Sequence, residues 1–274
     1  MAAGTTTHGV TWREARGYRA LEYLAGLVGL LTASTRALVR EPLGWQRDAV
    51  EECWLIVKRC LVPLSLSSFA FGFGTIGVQG GTILNVLGGL DRGGVFYSVA
   101  GPREFAPFLT GLVMAGVVGT ALCADLGARK IREELDAMAV LGVDPVPNLV
   151  APRLVAIVAM APILSMLAVV SGLLAGLIVY PWLFHVPAAM VLSSFAIELK
   201  AVDVVLGDVV KCVGYGTLIA TVCAYEGLNA RGGAEGVGRA VNRAVVIAFI
   251  GVFVFNFALN AILLASFPDL QQVR

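Results

Sequence analysis

The residues with the most chemical potential lie between positions 124 and 148, "ADLGARKIREELDAMAVLGVDPVPN". Arg129, Arg132, Glu133, Glu134 and Asp136 crowd together there, in a chain that is otherwise strongly apolar. On a helix turning ~100° per residue, Arg129, Arg132, Glu133 and Asp136 fall on one face and Ile131, Leu135, Met138 and Gly142 on the opposite one. A helix over 129–142 would rest its apolar side on the protein and turn a mixed-charge side to water or to a partner. A solvated helix with no partner fits the same pattern. Gly142 supplies the stop, and Asp144-Pro145 the turn behind it.

Ionisable residues inside apolar runs are functional candidates by default. Asp208 and Lys211, three apart, are expected to neutralise each other. Arg103 and Glu104 are adjacent, so they point to different sides and each should meet another partner. Catalysis finds no support. His8 and His185 are the only histidines and lie far apart, and no G-x-S-x-G, H-E-x-x-H or paired metal-ligand spacing occurs. "GFGTIG", residues 72–77, matches G-x-G-x-x-G in form only, because a dinucleotide fingerprint needs a strand before it. Within an apolar run those glycines are expected to let helices approach closely. No "GK" occurs, so the chain has no phosphate-binding P-loop. The chain is expected to bind no cofactor and no metal, and any ATP and Mg²⁺ must be used by a separate protein.

The elements that position these residues are membrane spans. Hydrophobic residues make up 58% and charged residues 14% of the chain, with mean hydropathy +0.83, whereas soluble domains carry about a quarter charged. Five apolar blocks stand out, roughly 54–79, 104–124, 149–180, 204–226 and 241–267, each near the ~20 residues that cross a bilayer. Pro152 and Pro162 predict a kink or break in the third block, and Pro181 its end. Before the first block, Trp12, Leu21, Tyr23, Leu24, Leu27, Leu30 and Leu31 mix with Arg13, Arg16, Arg19, Arg36 and Arg40, which suits an amphipathic helix lying in the membrane interface. The expectation is an all-α membrane protein with an interfacial segment over 1–50 and a five-span domain over 51–274. No signal peptide is legible at the N-terminus. The five cysteines lie mostly in or beside apolar runs and read as small buried hydrophobes.

With the N-terminus in the cytoplasm, fifteen Lys and Arg face inward and four outward, which fixes that orientation and puts residues 124–148 on the cytoplasmic side. A net charge of +1 without a dense basic cluster gives no basis for a nucleic-acid partner. Five spans without a visible internal repeat cannot split into equal halves, so a second subunit is expected to complete any pathway.

"CADLGARKIREELDAMAVLGVDPVPNLVAPRL", residues 123–154, resembles the signature of the MlaE/YrbE permeases. "REFAPFLTGLVMAG", residues 103–116, resembles the segment leading into that signature, and "YEGLNARGGAEGVGRAVNRAVV", residues 225–246, the loop and start of the last span. Within the family the chain most resembles the A-type YrbE subunit of actinobacterial Mce systems. The resemblance implies the permease subunit of an ATP-driven lipid transporter in the bacterial cytoplasmic (inner) membrane. Its partners would be a B-type YrbE permease, a cytoplasmic ABC ATPase dimer that uses ATP and Mg²⁺, Mce (MCE-domain) lipid-binding proteins, and membrane lipids. It also implies that the helix between spans 2 and 3 is the coupling helix, with Arg129, Arg132, Glu133, Glu134, Asp136, Met138 and Leu141 as its docking residues. Arg103, Glu104 and Pro107 lie in the family-like "REFAP" and are candidates for a gate or for packing. Asn256 stands where the MlaE branch tends to be acidic, and Val117 where it tends to have arginine, so a lumen mechanism built on those charges does not carry over. Asn256 and Asn260 remain as polar candidates along an otherwise apolar pathway. The implied cargo is a fatty acid, mycolic acid or sterol, moved inward. A transporter or channel that needs no ATPase, or an assembly scaffold that moves nothing, are the readings that compete with this one.

Overall fold

The computed structural model describes residues 12–40, 45–201 and 203–266. His8 and Arg274 lie outside the described residues, as do the rest of 1–11 and 267–274. Helix α1, Trp12–Arg40, is one uninterrupted element and is not among the helices apolar enough to cross a membrane. Five spans follow, as the hydropathy predicted, each longer than its apolar block.

Span 1 runs Gln46–Val86: α2 (Gln46–Phe71), a π-helical stretch Gly72–Gly80, then α3 (Gly81–Val86). Span 2 runs Leu90–Ile131 and is assembled from α4 (Gly93–Ala100), π-helical Gly101–Phe105, α5 (Ala106–Met114), π-helical Ala115–Gly119 and α6 (Thr120–Ile131). A short helix α7, Glu134–Val140, links it to span 3. Span 3 enters through π-helical Val146–Val150 and continues as α8, Ala151–Phe184. After α9 (Ala188–Glu198), span 4 comprises π-helical Asp203–Val209 and α10 (Val210–Leu228). Helix α11, Gly233–Ser266, carries span 5.

A break at Pro162 and an end at Pro181 are both corrected. Helix α8 passes through Pro162 and Pro181 and closes only at His185, whose φ is 56°. Pro152 follows directly on the π-helical Val146–Val150, so its missing N–H falls where the helix changes pitch. Membrane helices tolerate interior proline because neighbouring helices and local adjustments re-satisfy the freed backbone groups.

Small residues set how closely the spans approach. A Cβ on Gly72 would lie 2.6 Å from the Cα of Gly172, so the backbones of spans 1 and 3 touch there. The Tyr97 hydroxyl donates to the Gly72 carbonyl at 2.6 Å, from span 2 into the π-helical start of "GFGTIG". The glycines therefore serve packing, as expected, although Gly74 faces open space. A tighter contact lies one turn before Tyr97 in α4. A Cβ on Gly94 would meet the Val191 carbonyl oxygen of α9 at 2.0 Å. Gly94→Ala is expected to destabilise the fold by about 3 kcal/mol, the upper end of overpacking costs, read as a lower apparent Tm in detergent. Gly101→Ala, with nothing within 4 Å, serves as the silent control.

The main core lies between spans 1, 2, 3 and 4 and the inner side of span 5, with Leu64, Met114, Leu126, Ile157, Ile219 and Val252 at its centre. Cys60, Cys123, Cys212 and Cys223 are buried and unpaired and Cys53 is half-buried, in agreement with their reading as small hydrophobes. Span 5 covers the core with one side only; Ile250, Phe253, Val254 and Phe257 face outward.

Candidate functional site

The charged stretch folds differently from the single helix that its periodicity predicted. Helix α6 stops at Ile131, Glu133 takes a left-handed conformation at φ 61°, and α7 restarts at Glu134. A left-handed non-glycine residue costs roughly 1–2 kcal/mol, and the ion pairs around it explain what the break achieves. Lys130 Nζ lies 2.7 Å from Asp136 Oδ1. Six residues apart on a continuous helix, those groups would point about 120° apart. Arg132 pairs with Glu134 at 2.7 Å, and Arg129 with Asp125 at 3.2 Å and Glu134 at 3.7 Å. The expected outward face of Arg129, Arg132, Glu133 and Asp136 is thus largely occupied by internal pairs. Glu133 makes no ion pair among the described residues.

The network continues into the membrane domain. Arg153, at the start of span 3, binds Asp125 of span 2 at 2.7 Å and Glu52 of span 1 at 2.9 Å. Three spans and the linker are therefore tied at one end by Arg153, Asp125 and Arg129. Such a network can move as a unit, because each pair shares a member with the next.

Beyond α7 the local sequence behaves as read. The N–H of Gly142 donates to the Ala139 carbonyl (3.1 Å) and that of Val143 to the Met138 carbonyl (2.9 Å), with Gly142 at φ 76°. This is a Schellman closure, which needs glycine at that position. Asp144 Oδ1 then accepts from the Val146 N–H at 2.9 Å. The closure leaves Val140 and Leu141 at the tip of the linker, 88% and 79% exposed, while Leu135 is buried and Met138 half-buried.

A second polar constellation lies inside the bundle. Glu104 belongs to the π-helical Gly101–Phe105, and Asp208 to the π-helical Asp203–Val209. The two stretches meet where a Cβ on Gly207 would lie 3.3 Å from the Arg103 Cα. Lys211, 1% exposed, donates from Nζ to Glu104 Oε1 at 3.0 Å and to the Arg103 carbonyl. Glu104 Oε2 accepts from Asn256 Nδ2 at 3.3 Å, and Tyr215 donates its hydroxyl proton to Asn256 Oδ1 at 2.7 Å. Spans 2, 4 and 5 are therefore joined by the chain Lys211–Glu104–Asn256–Tyr215.

Here the expected Asp208–Lys211 pair is corrected. Asp208 instead accepts from Ser165 of span 3 and from the Cys212 thiol at 3.5 Å, and Lys211 reaches across to Glu104. Glu104 does meet a partner of its own, as its position beside Arg103 required. Pro107 is buried in the first turn of α5, a packing role. Asn260 makes no hydrogen bond among the described residues. Sequence reasoning missed Tyr215, although its spacing of four from Lys211 places both on one face of α10. It also missed Glu52, Asp125 and Arg153, whose pairing spans 101 residues of sequence for Glu52 and Arg153.

Comparison with known proteins adds an independent line. A probable ABC transporter permease protein of Synechocystis is 36% identical over 177 residues, 65% of this chain and 66% of that protein. One from Rickettsia typhi is 34% identical over 161 residues, 59% of this chain and 62% of that protein. The Arabidopsis thaliana protein TRIGALACTOSYLDIACYLGLYCEROL 1, chloroplastic, is 30% identical over 183 residues, 66% of this chain and 52% of that protein. The chain thus spans between half and two thirds of the length of the curated relatives it matches. A family profile described as Permease MlaE matches residues 49–262, all five spans. This multi-pass chain belongs to the MlaE permease family.

Proposed function

We propose that the chain is the A-type permease subunit of an ATP-driven, Mce-type lipid transporter and pairs with a B-type subunit to form the translocation path. The observation that carries this reading is the tip of the linker between spans 2 and 3. A helix on the water side of a membrane protein does not profit from presenting Val140 and Leu141 to solvent; an apolar knob ringed by ordered charges is the anatomy of a docking element. The partner is a cytoplasmic ABC ATPase dimer. Binding and hydrolysis of Mg²⁺-ATP there would pull on α7, and the Arg129–Asp125–Arg153–Glu52 network would pass the motion to spans 1, 2 and 3. The N-terminus lies in the cytoplasm of a bacterium and the spans cross its inner membrane. Mce proteins on the far side deliver a fatty acid, mycolic acid or sterol for import. The name of the Arabidopsis relative is that of a glycolipid, which supports a lipid cargo.

Affinity purification of the tagged chain from its native membrane in mild detergent, with mass spectrometry of what is retained, tests this reading. The expected retinue is an ATPase, a second five-span permease and MCE-domain proteins in fixed ratio. Recovery of the chain alone, even after cross-linking, would overturn the docking role of α7 and favour a transporter that needs no ATPase. A complete complex in which no lipid ever lies between the permease helices would favour a scaffold.

A further inference from the structure

A cavity of about 460 Å³ opens where α1 lies against the ends of spans 4 and 5, on the same side of the bundle as α7. Its wall is preformed. Tyr23 of α1 meets Tyr225 of α10 edge to face, with ring centroids 5.1 Å apart, and a Cβ on Gly26 would lie 2.6 Å from the Tyr225 ring. At its floor Glu226, nearly fully buried, accepts from Arg243 Nε at 2.6 Å and also binds Nη2. That pair balances itself and leaves Arg243 Nη1 without a carboxylate among the described residues.

Arg231 also lines the cavity, is exposed, and has no carboxylate partner among the described residues. The nearest acid in sequence, Glu235, is engaged by Arg239 at 2.5 Å. Two guanidiniums therefore face one carboxylate, an excess of one positive charge. The Tyr23 hydroxyl is buried beside the Glu226 carboxylate, which interacts with it. Burial, reinforced by the Glu226 carboxylate, holds this phenol above its ordinary value, so it stays a neutral O–H donor.

We infer that this cavity seats the phosphate-bearing headgroup of an anionic phospholipid of the surrounding bilayer. The surroundings distinguish a lipid from a free anion. Leu21, Leu24 and Val28 face outward on the side of α1 away from Tyr23, an apolar strip that beds the helix in the bilayer, and Ile247 lines the cavity on its span 5 side. Tyrosine and arginine at the headgroup level, beside a helix bedded in this way, form the usual chemistry of an interfacial lipid site. The bound lipid would clasp α1 to spans 4 and 5. Such binding does not depend on transport.

The test is native mass spectrometry of the full chain, purified with whatever subunits accompany it, titrated with phosphatidylglycerol, phosphatidylcholine and inorganic phosphate. The wild type should prefer phosphatidylglycerol. Arg231→Gln should weaken that binding about fivefold, the effect of one cationic side chain at a membrane surface, and leave phosphatidylcholine binding unchanged. Arg239→Gln, whose guanidinium is engaged by Glu235, should behave as wild type. Arg231 is exposed in a loop, so equal apparent Tm values for the two variants establish that folding is not the cause. Equal phosphatidylglycerol affinity in both variants would overturn the proposal. So would displacement of the lipid from wild-type protein by millimolar inorganic phosphate, which marks a small-anion site.

Discussion

Glu104→Gln is expected to cost the fold about 3 kcal/mol, the low end for breaking a buried ion pair by removing one partner. Lys211→Met should leave stability nearly unchanged. The asymmetry follows from burial. Lys211 is 1% exposed, whereas the Glu104 side chain is 45% exposed. Without the carboxylate, the buried ammonium faces a neutral amide and the Arg103 carbonyl. Without the ammonium, Glu104 still accepts from Asn256 and is not enclosed, its side chain being 45% exposed. An apolar side chain of similar volume in place of a buried cation is often neutral. The double variant should recover most of the loss, a coupling that a double-mutant cycle measures directly. Apparent Tm in one detergent across the four proteins is sufficient; equal losses for the two single variants would sink the argument. If Glu104 gates the path as well, Lys211→Met should keep its stability yet alter lipid transport.

Leu141→Asp is expected to weaken ATPase binding roughly 25-fold, equivalent to about 2 kcal/mol, the size of a docking hot spot. Membrane insertion and apparent Tm should not change, because the Leu141 side chain is largely exposed. This substitution separates docking from folding better than charge reversal at Glu134 or Asp136. Those acids hold Arg129, Arg132 and Lys130, so their reversal would also disturb the linker. Retention of the ATPase by purified variant and parent is the readout. Equal retention would move the docking contact away from the tip of α7.

Local chemistry was legible in the sequence and long-range chemistry was not. The five spans follow from runs of apolar residues, and the stop at Gly142 from one glycine that must turn left-handed. The break at Glu133 was invisible to periodicity, because its cause is a set of ion pairs that form only once the helix has broken. Lys211 looked suited to Asp208 because a helix brings residues three apart together, but its true partner lies 107 residues away. The π-helical stretches explain part of that failure. Each wide turn shifts the helix faces that follow, so a face drawn at constant pitch drifts from the real one. Proline misled in the opposite direction: Pro162 and Pro181 punctuate a soluble helix, whereas a membrane helix runs through them.

The burial of the native cysteines opens a route to distance measurements. Four of the five thiols are enclosed by neighbouring spans, and Cys53 is half-covered. Thiol-directed labels react through accessible thiolate, so a cysteine placed at Val140 would take up a spin or fluorescent label against a nearly silent background. Only Cys53 would need replacement. One such label at the tip of α7 and another at exposed Val39 of α1 would form a molecular ruler across this end of the bundle, able to follow the linker in the otherwise native chain.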